Sequence, residues 1–135
     1  MRDAETVFGI SNGLGRIELN RPHALNALSL RKFHHLTELL TAWESDDTVA
    51  AVLVRARGDR AFCAGGDIRM VWEARLRGDA AANLDIFRTE YRLDRRIHHF
   101  SKPFISFLDG LVMGGGAGIS INGSWRVATE RTSFA

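Results

Sequence analysis

The stretch GLVMGGGAGISING, Gly110–Gly123, sets three consecutive glycines at 114–116 directly behind the apolar run PFISFLDG. Each glycine costs more conformational entropy on folding than any other residue. A triple therefore points to a place that needs bare backbone. Three uses fit: a phosphate cradle, a tight packing joint, or amides aimed at a reacting oxygen. The phosphate-binding signatures fail here. A P-loop needs Lys-Ser/Thr after its last glycine, and none follows Gly118. The dinucleotide fingerprint needs glycine at 119, where Ile119 stands. A nucleophile elbow beginning at Gly118 would need a final glycine where Asn122 stands, so Ser120 is expected to be an ordinary helix residue.

Working outward, a second glycine turn lies in RGDRAFCAGGDI, residues 58–68 with Arg57 ahead of them. It follows the buried-strand pattern VAAVLVRA, whose continuous apolar run suits a parallel sheet. A helix is expected from Ile68, breaking near Gly78-Asp79. Further back, TVFGI and GRIELN flank Asn12-Gly13, a hairpin signal. Ser29 is a candidate N-cap for a helix with Leu30, Phe33, Leu36, Leu40 and Trp43 on one face, ending at SDD. A second helix is expected to bury Leu84, Phe87, Tyr91, Ile97 and Phe100, and to stop before Lys102-Pro103. FISFLDG, WRVAT and the start of RTSFA read as further strands. A hairpin followed by β-α units predicts an α/β domain with a largely parallel sheet. RTSFA breaks off within an element, so the chain is expected to be a fragment.

The bulk properties are those of a globular chain. It has 135 residues, 45% apolar and 25% charged, with a net charge of +2. A chain of this size buries roughly two thirds of its unfolded surface. No apolar run approaches the ~20 residues needed to span a bilayer, and MRDAETVFGI lacks a signal-peptide core. Cys63, the one cysteine, excludes an internal disulfide and suits a reducing compartment. These features lead to the expectation of a cytoplasmic protein without a membrane partner. Arginines at 69, 75, 77, 88, 92, 95 and 96 are interleaved with Glu73, Asp79, Asp85, Glu90 and Asp94. That mixture reads as a solvated helix face. No aromatic-and-basic pattern accompanies it, so no nucleic-acid partner is expected. The adjacent pairs His34-His35 and His98-His99 diverge on a helix and predict no metal site. Cys63 reads as a packed thiol.

Two glycine turns remain, Ala64-Gly65-Gly66-Asp67 and Gly114-Gly115-Gly116, each between a strand and a helix. In parallel sheets, ligands sit beyond the carboxyl ends of strands. Helix N-termini there favour negative charge. Two backbone amides brought together in this way make an oxyanion hole without side chain or cofactor. The alternative is that the glycines serve only close helix–strand packing.

NRPHALNAL, FCAGGDI, KPFISFLDG and MGGGAGIS, in this order and spacing, resemble the crotonase family, the enoyl-CoA hydratase/isomerase superfamily. The resemblance covers essentially the whole chain. It implies a spiral ββα core, here the N-terminal part of a single crotonase-fold domain spanning 1–135 and incomplete at its C-terminus. It implies an acyl-coenzyme A substrate, with coenzyme A arriving as part of that substrate and no separate cofactor. The Gly66 and Gly115 amides would form the oxyanion hole. Backbone groups at His23, Ala24 and Leu25, and around Ala64, Asp67 and Ile68, would meet adenine and pantetheine. Where this chain has His23, many relatives carry lysine. The family also forms trimers and higher assemblies, so a homo-oligomer is expected of a full-length protein.

Enoyl-CoA hydratases carry a catalytic glutamate two residues after the triple, and Gly118 stands there. A glycine cannot activate water. AGGDIR, FRTEY, MGGGAGIS and WRVATE instead resemble the branch that hydrolyses 3-hydroxyisobutyryl-CoA in valine breakdown. The resemblance gives Glu90 the substrate hydroxyl, for which a carboxylate is a suitable acceptor. It places the principal catalytic glutamate and a following aspartate after SFA, beyond Ala135. The chain by itself is therefore expected to be inactive. An enoyl-CoA hydratase or isomerase, and a non-catalytic coenzyme A-binding module, are the alternative readings.

Overall fold

The structure, a computed structural model, describes residues 4–135. Met1–Asp3, the start of the N-terminal stretch discussed above, lie outside the described residues. The chain opens with a hairpin, β1 (Thr6–Ser11) and β2 (Leu14–Leu19), in full antiparallel register. Its two-residue loop has positive φ at both Asn12 and Gly13, the geometry that matches strand twist. Helix α1 (Leu30–Glu44) follows, capped by Ser29, whose side chain accepts from the Lys32 amide.

Three turns of a spiral come next, and each contributes two strands. The first holds β3 (Ala51–Ala56), β4 (Ala61–Cys63), and the helices α2 (Ile68–Leu76) and α3 (Ala80–His98). The second holds β5 (Phe104–Leu108), β6 (Leu111–Val112) and α4 (Gly115–Ile121). The third holds β7 (Trp125–Ala128) and β8 (Ser133–Phe134). The longer strands form one sheet in the order β1-β2-β3-β5-β7, parallel from β2 onward. The short ones form a second parallel sheet, β4-β6-β8. The ββα spiral expected of the crotonase fold is thus present.

Two sequence expectations need correction. AFC, read as part of a glycine-rich loop, is strand β4, and its three residues are all buried. A strand this short carries no legible alternation. In α3 the buried residues are Ile86, Thr89, Leu93 and Ile97, whereas Leu84, Phe87 and Tyr91 are exposed. The apolar stripe expected there was rotated from the observed one. The helix packs against α1 on one side and against α2 and α4 on others, so no single stripe describes it.

One core joins α1 (Phe33, Leu36, Leu40, Trp43), the parallel strands (Val52, Val54, Phe104, Leu108), α3 (Leu93, Ile97) and Ile119 of α4. Cys63 lies within it as a packed thiol, and burial pushes its pKa up to about 11. Lys32 is buried as well, at 1% exposure, with its Nζ donating to the Ala27 carbonyl at 3.2 Å. Desolvation pulls its pKa down to about 8.

Two predictions follow from this packing. A Cβ on Gly116 would overlap the Cys63 carbonyl oxygen and lie 2.8 Å from the Cys63 Cβ. Because backbone cannot swing away, Gly116→Ala should cost about 3 kcal/mol or more, read as a fall in the urea midpoint at unchanged m. For Lys32, the folded pKa of about 8 lies below the ordinary lysine value of 10.5. Between these values the unfolded chain binds more protons, so stability rises with pH. Lys32→Met should therefore stabilise the protein at pH 7, with the advantage shrinking from pH 8 to 10.5 in thermal melts. An advantage that stayed constant across that window would contradict a buried ammonium.

Candidate active site

The two glycine turns meet. Gly65 and Gly114 both have positive φ, 124° and 52°, conformations that glycine adopts without strain. They lie against each other, with a Cβ on Gly114 falling 3.6 Å from the Gly65 Cα. The position of a Cβ on Gly115 is 3.1 Å from the Gly66 nitrogen. A short bridge between Leu28 and Gly66 uses the Leu28 amide, donating to the Gly65 carbonyl, and the Asp67 amide, donating to the Leu28 carbonyl. That exchange leaves the Gly66 amide out. Gly115 is the first residue of α4, so its amide has no intrahelical acceptor. The next amides are occupied: Gly116 donates to Met113 and Gly118 to Gly114.

Both glycines line a cavity of about 460 Å³. Its walls are Ile68, Met70 and Val71 from α2, Ile86, Phe87, Glu90, Tyr91 and Asp94 from α3, and Gly114, Gly115 and Gly118 around α4. The composition is that of a small-molecule pocket, mostly apolar with a few polar groups. Another concavity, about 410 Å³, lies along β1, β2 and β3. Two of its arginines pair with Glu18, Arg55 at 2.8 Å and Arg57 at 2.7 Å.

Of the residues singled out from the sequence, Gly66, Gly115, Glu90 and Ile68 share this cavity. Glu90 Oε1 lies 2.8 Å from where a Gly115 Cβ would stand, and burial raises its pKa. Ile68 is 83% exposed, at the rim. His23 and Ala24 belong to a short 3-10 turn, Pro22–Ala24, and His23 is exposed. Leu25 accepts from the Ala64 amide at 3.0 Å, so 24–28 runs alongside 64–67. The segment is clamped by Asn26, which is buried. Its amide group donates to the Arg57 and Ala61 carbonyls, and its oxygen accepts from the Arg21 amide. Asp67 caps α2 and pairs with Arg21 at 2.8 Å. Burial alone would raise its carboxyl, but the bonds from Arg21 and the Arg69 amide hold it low. Its amide and that of Ala64 are both occupied.

Asp94 was missed as a site residue. Read from the sequence as part of a solvated charged face, it turns inward, one helical turn after Glu90. Its carboxylate sits against Gly118, with Oδ2 2.8 Å and Oδ1 3.1 Å from where a Cβ there would stand. Oδ1 is buried without a hydrogen-bond partner among the described residues. Burial, and secondarily the charge of Glu90, push the Asp94 pKa up to about 6. The i, i+4 spacing of two acids was the available signal. The surrounding arginines on α2 and α3 masked it.

With this geometry established, comparison with known proteins gives a consistent answer. The chain is 43% identical over 98% of its length to "3-hydroxyisobutyryl-CoA hydrolase, mitochondrial" of Gallus gallus, covering 34% of that protein. The chain spans about a third of the length of the curated relatives it matches. Among solved structures, an enoyl-CoA hydratase from Rhodobacter sphaeroides 2.4.1 superposes with a TM-score of 0.95 at 37% identity, over 98% of this chain and 39% of the other. A carnitinyl-CoA dehydratase from Mycobacterium thermoresistibile gives 0.94 at 38%, over 98% and 39%. The family model for enoyl-CoA hydratase/isomerase matches residues 14–135, and the chain belongs to that family.

Proposed function

We propose that this chain carries the oxyanion hole and acyl pocket of a coenzyme A thioester hydrolase, with 3-hydroxyisobutyryl-CoA, a valine-breakdown intermediate, as the preferred substrate. The reading rests chiefly on the Gly66 nitrogen lying 3.1 Å from the Cβ position of Gly115, at the wall of one apolar cavity. A thioester oxygen seated between the two amides gains negative charge as water attacks the carbonyl carbon. The amides stabilise that charge at no reorganisation cost. The C–S bond then breaks, the thiolate of coenzyme A leaves with a proton, and the free acid is the product. Glu90 accepts a hydrogen bond from the acyl hydroxyl and so fixes the carbonyl over the amides. The name of the avian relative supports the choice of acyl group. No metal or separate cofactor takes part in this scheme.

Incubation of the full-length protein, with the residues that follow Ala135, with 3-hydroxyisobutyryl-CoA and with crotonyl-CoA tests it. Thiol release from the first is expected. Hydration of the second without thiol release overturns the hydrolase reading in favour of a hydratase. Binding of coenzyme A thioesters without turnover of either overturns it in favour of a binding module.

The amide pair can be blocked by a single methyl group. In Gly115→Ala the new Cβ stands 3.1 Å from the Gly66 nitrogen, a tight contact that blocks the amide, and 2.8 Å from Glu90 Oε1, the mobile end of a side chain that can move aside. Thiol release should fall 100-fold or more, the scale of losing one oxyanion donor, with an unchanged far-ultraviolet spectrum. Glu90→Gln should lower kcat/KM for the hydroxylated substrate about tenfold and leave isobutyryl-CoA nearly unaffected.

A further inference from the structure

We propose that Asp94 is a second hydrogen-bonding carboxylate of the acyl pocket and, with Glu90, selects acyl groups that carry a hydroxyl. The inference rests on the thioester reading above and specifies its substrate class. It starts from an unmet need. Asp94 Oδ1 is buried and has no donor among the described residues, yet the carboxylate is held in a cavity walled by Ile68, Met70, Val71, Ile86 and Phe87. A buried acceptor without a donor is costly, and a ligand that brings one removes the cost.

Geometry determines where that donor must come from. Gly118 offers no side chain, and the Asp94 carboxylate fills the space a side chain there would enter. Glu90, one turn earlier, stands beside Gly115 in the same way. The two acids thus lie along α4, Glu90 next to the oxyanion amide and Asp94 three residues further on. A thioester carbonyl at Gly115 directs its acyl chain past Glu90 toward Asp94. A hydroxyl on that chain suits the pair because it both donates and accepts. Burial favours the protonated form of each acid, so the pair can also both accept and donate. An acyl chain without a hydroxyl leaves Oδ1 buried and unmatched. Sites built to bond a hydroxyl reject the analogue lacking it for this reason.

The test is equilibrium binding of two hydrolysis-resistant ketone analogues, in which a methylene replaces the thioester sulfur. One has the 3-hydroxyisobutyryl group and the other the isobutyryl group. Wild-type protein should prefer the hydroxylated analogue by tenfold to a hundredfold. In Asp94→Leu the preference should fall to about twofold or less while the deoxy analogue binds as well or better. Asp94→Asn keeps an acceptor oxygen without the charge and should give an intermediate ratio. If the leucine variant fails to fold, as judged by its melting curve, the asparagine variant decides. A ratio unchanged from wild type overturns the proposal. Tighter wild-type binding of an analogue carrying a trimethylammonium group in place of the hydroxyl also overturns it, since the acids would then serve as a cation site. Binding of neither analogue by the wild type overturns the thioester reading itself.

Discussion

The close approach of two backbone segments governs this structure. Cys63, at the end of β4, and Gly116, in the first turn of α4, are in contact with no room for a methyl group between them. That contact brings Gly65-Gly66 and Gly114-Gly115 together across two turns of the spiral. The amides of residues 66 and 115 become neighbours because no side chain separates them. The acids of α3 reach the cavity because α4 presents glycine at 115 and 118. The entropy that glycine loses on folding is recovered in part by packing, since Gly116 and Ile119 are buried with Cys63 and Val112.

Helix α3 links the core to the site. Leu93 and Ile97 are in the main core, and Ile86 is buried at the cavity wall. Glu90 and Asp94 flank Leu93 in sequence but face α4. A helix held on one side by the core can position acids on its adjoining face with little freedom. Arg96 adds a fixed point, bonded to Glu44 of α1 at 2.9 Å. The apolar surroundings that make the carboxylates reluctant to ionise also strengthen any hydrogen bond they form.

Much of this was legible in the sequence because the signals are local. Asn12-Gly13, the Ser29 cap and the α1 stripe each occupy a few consecutive residues, and each element stands where the pattern puts it. The glycine turns were legible as turns between strand and helix. What failed was non-local. Strands of two or three residues such as β6 and β8 have no periodicity of their own, and only pairing within the second sheet defines them. The α3 face was misjudged because Leu84, Phe87 and Tyr91 made a plausible stripe, while the packed surface is Ile86, Leu93 and Ile97. Asp94 was lost for the same reason: once the stripe is rotated, it falls among the solvated charges.

The pairing of Asp94 with Gly118 illustrates how a site can be relocated within a fold. From the sequence, glycine at 118 argues against a carboxylate at that point of the cavity. The space tells a different story, because the carboxylate of Asp94 already stands where a longer side chain from 118 would extend. The two positions, 24 apart in sequence, exclude each other sterically: a side chain at 118 requires Asp94 to withdraw, and Asp94 in place requires glycine at 118. The chemistry available at one point in the cavity therefore depends on both residues together. A motif confined to either helix does not report it.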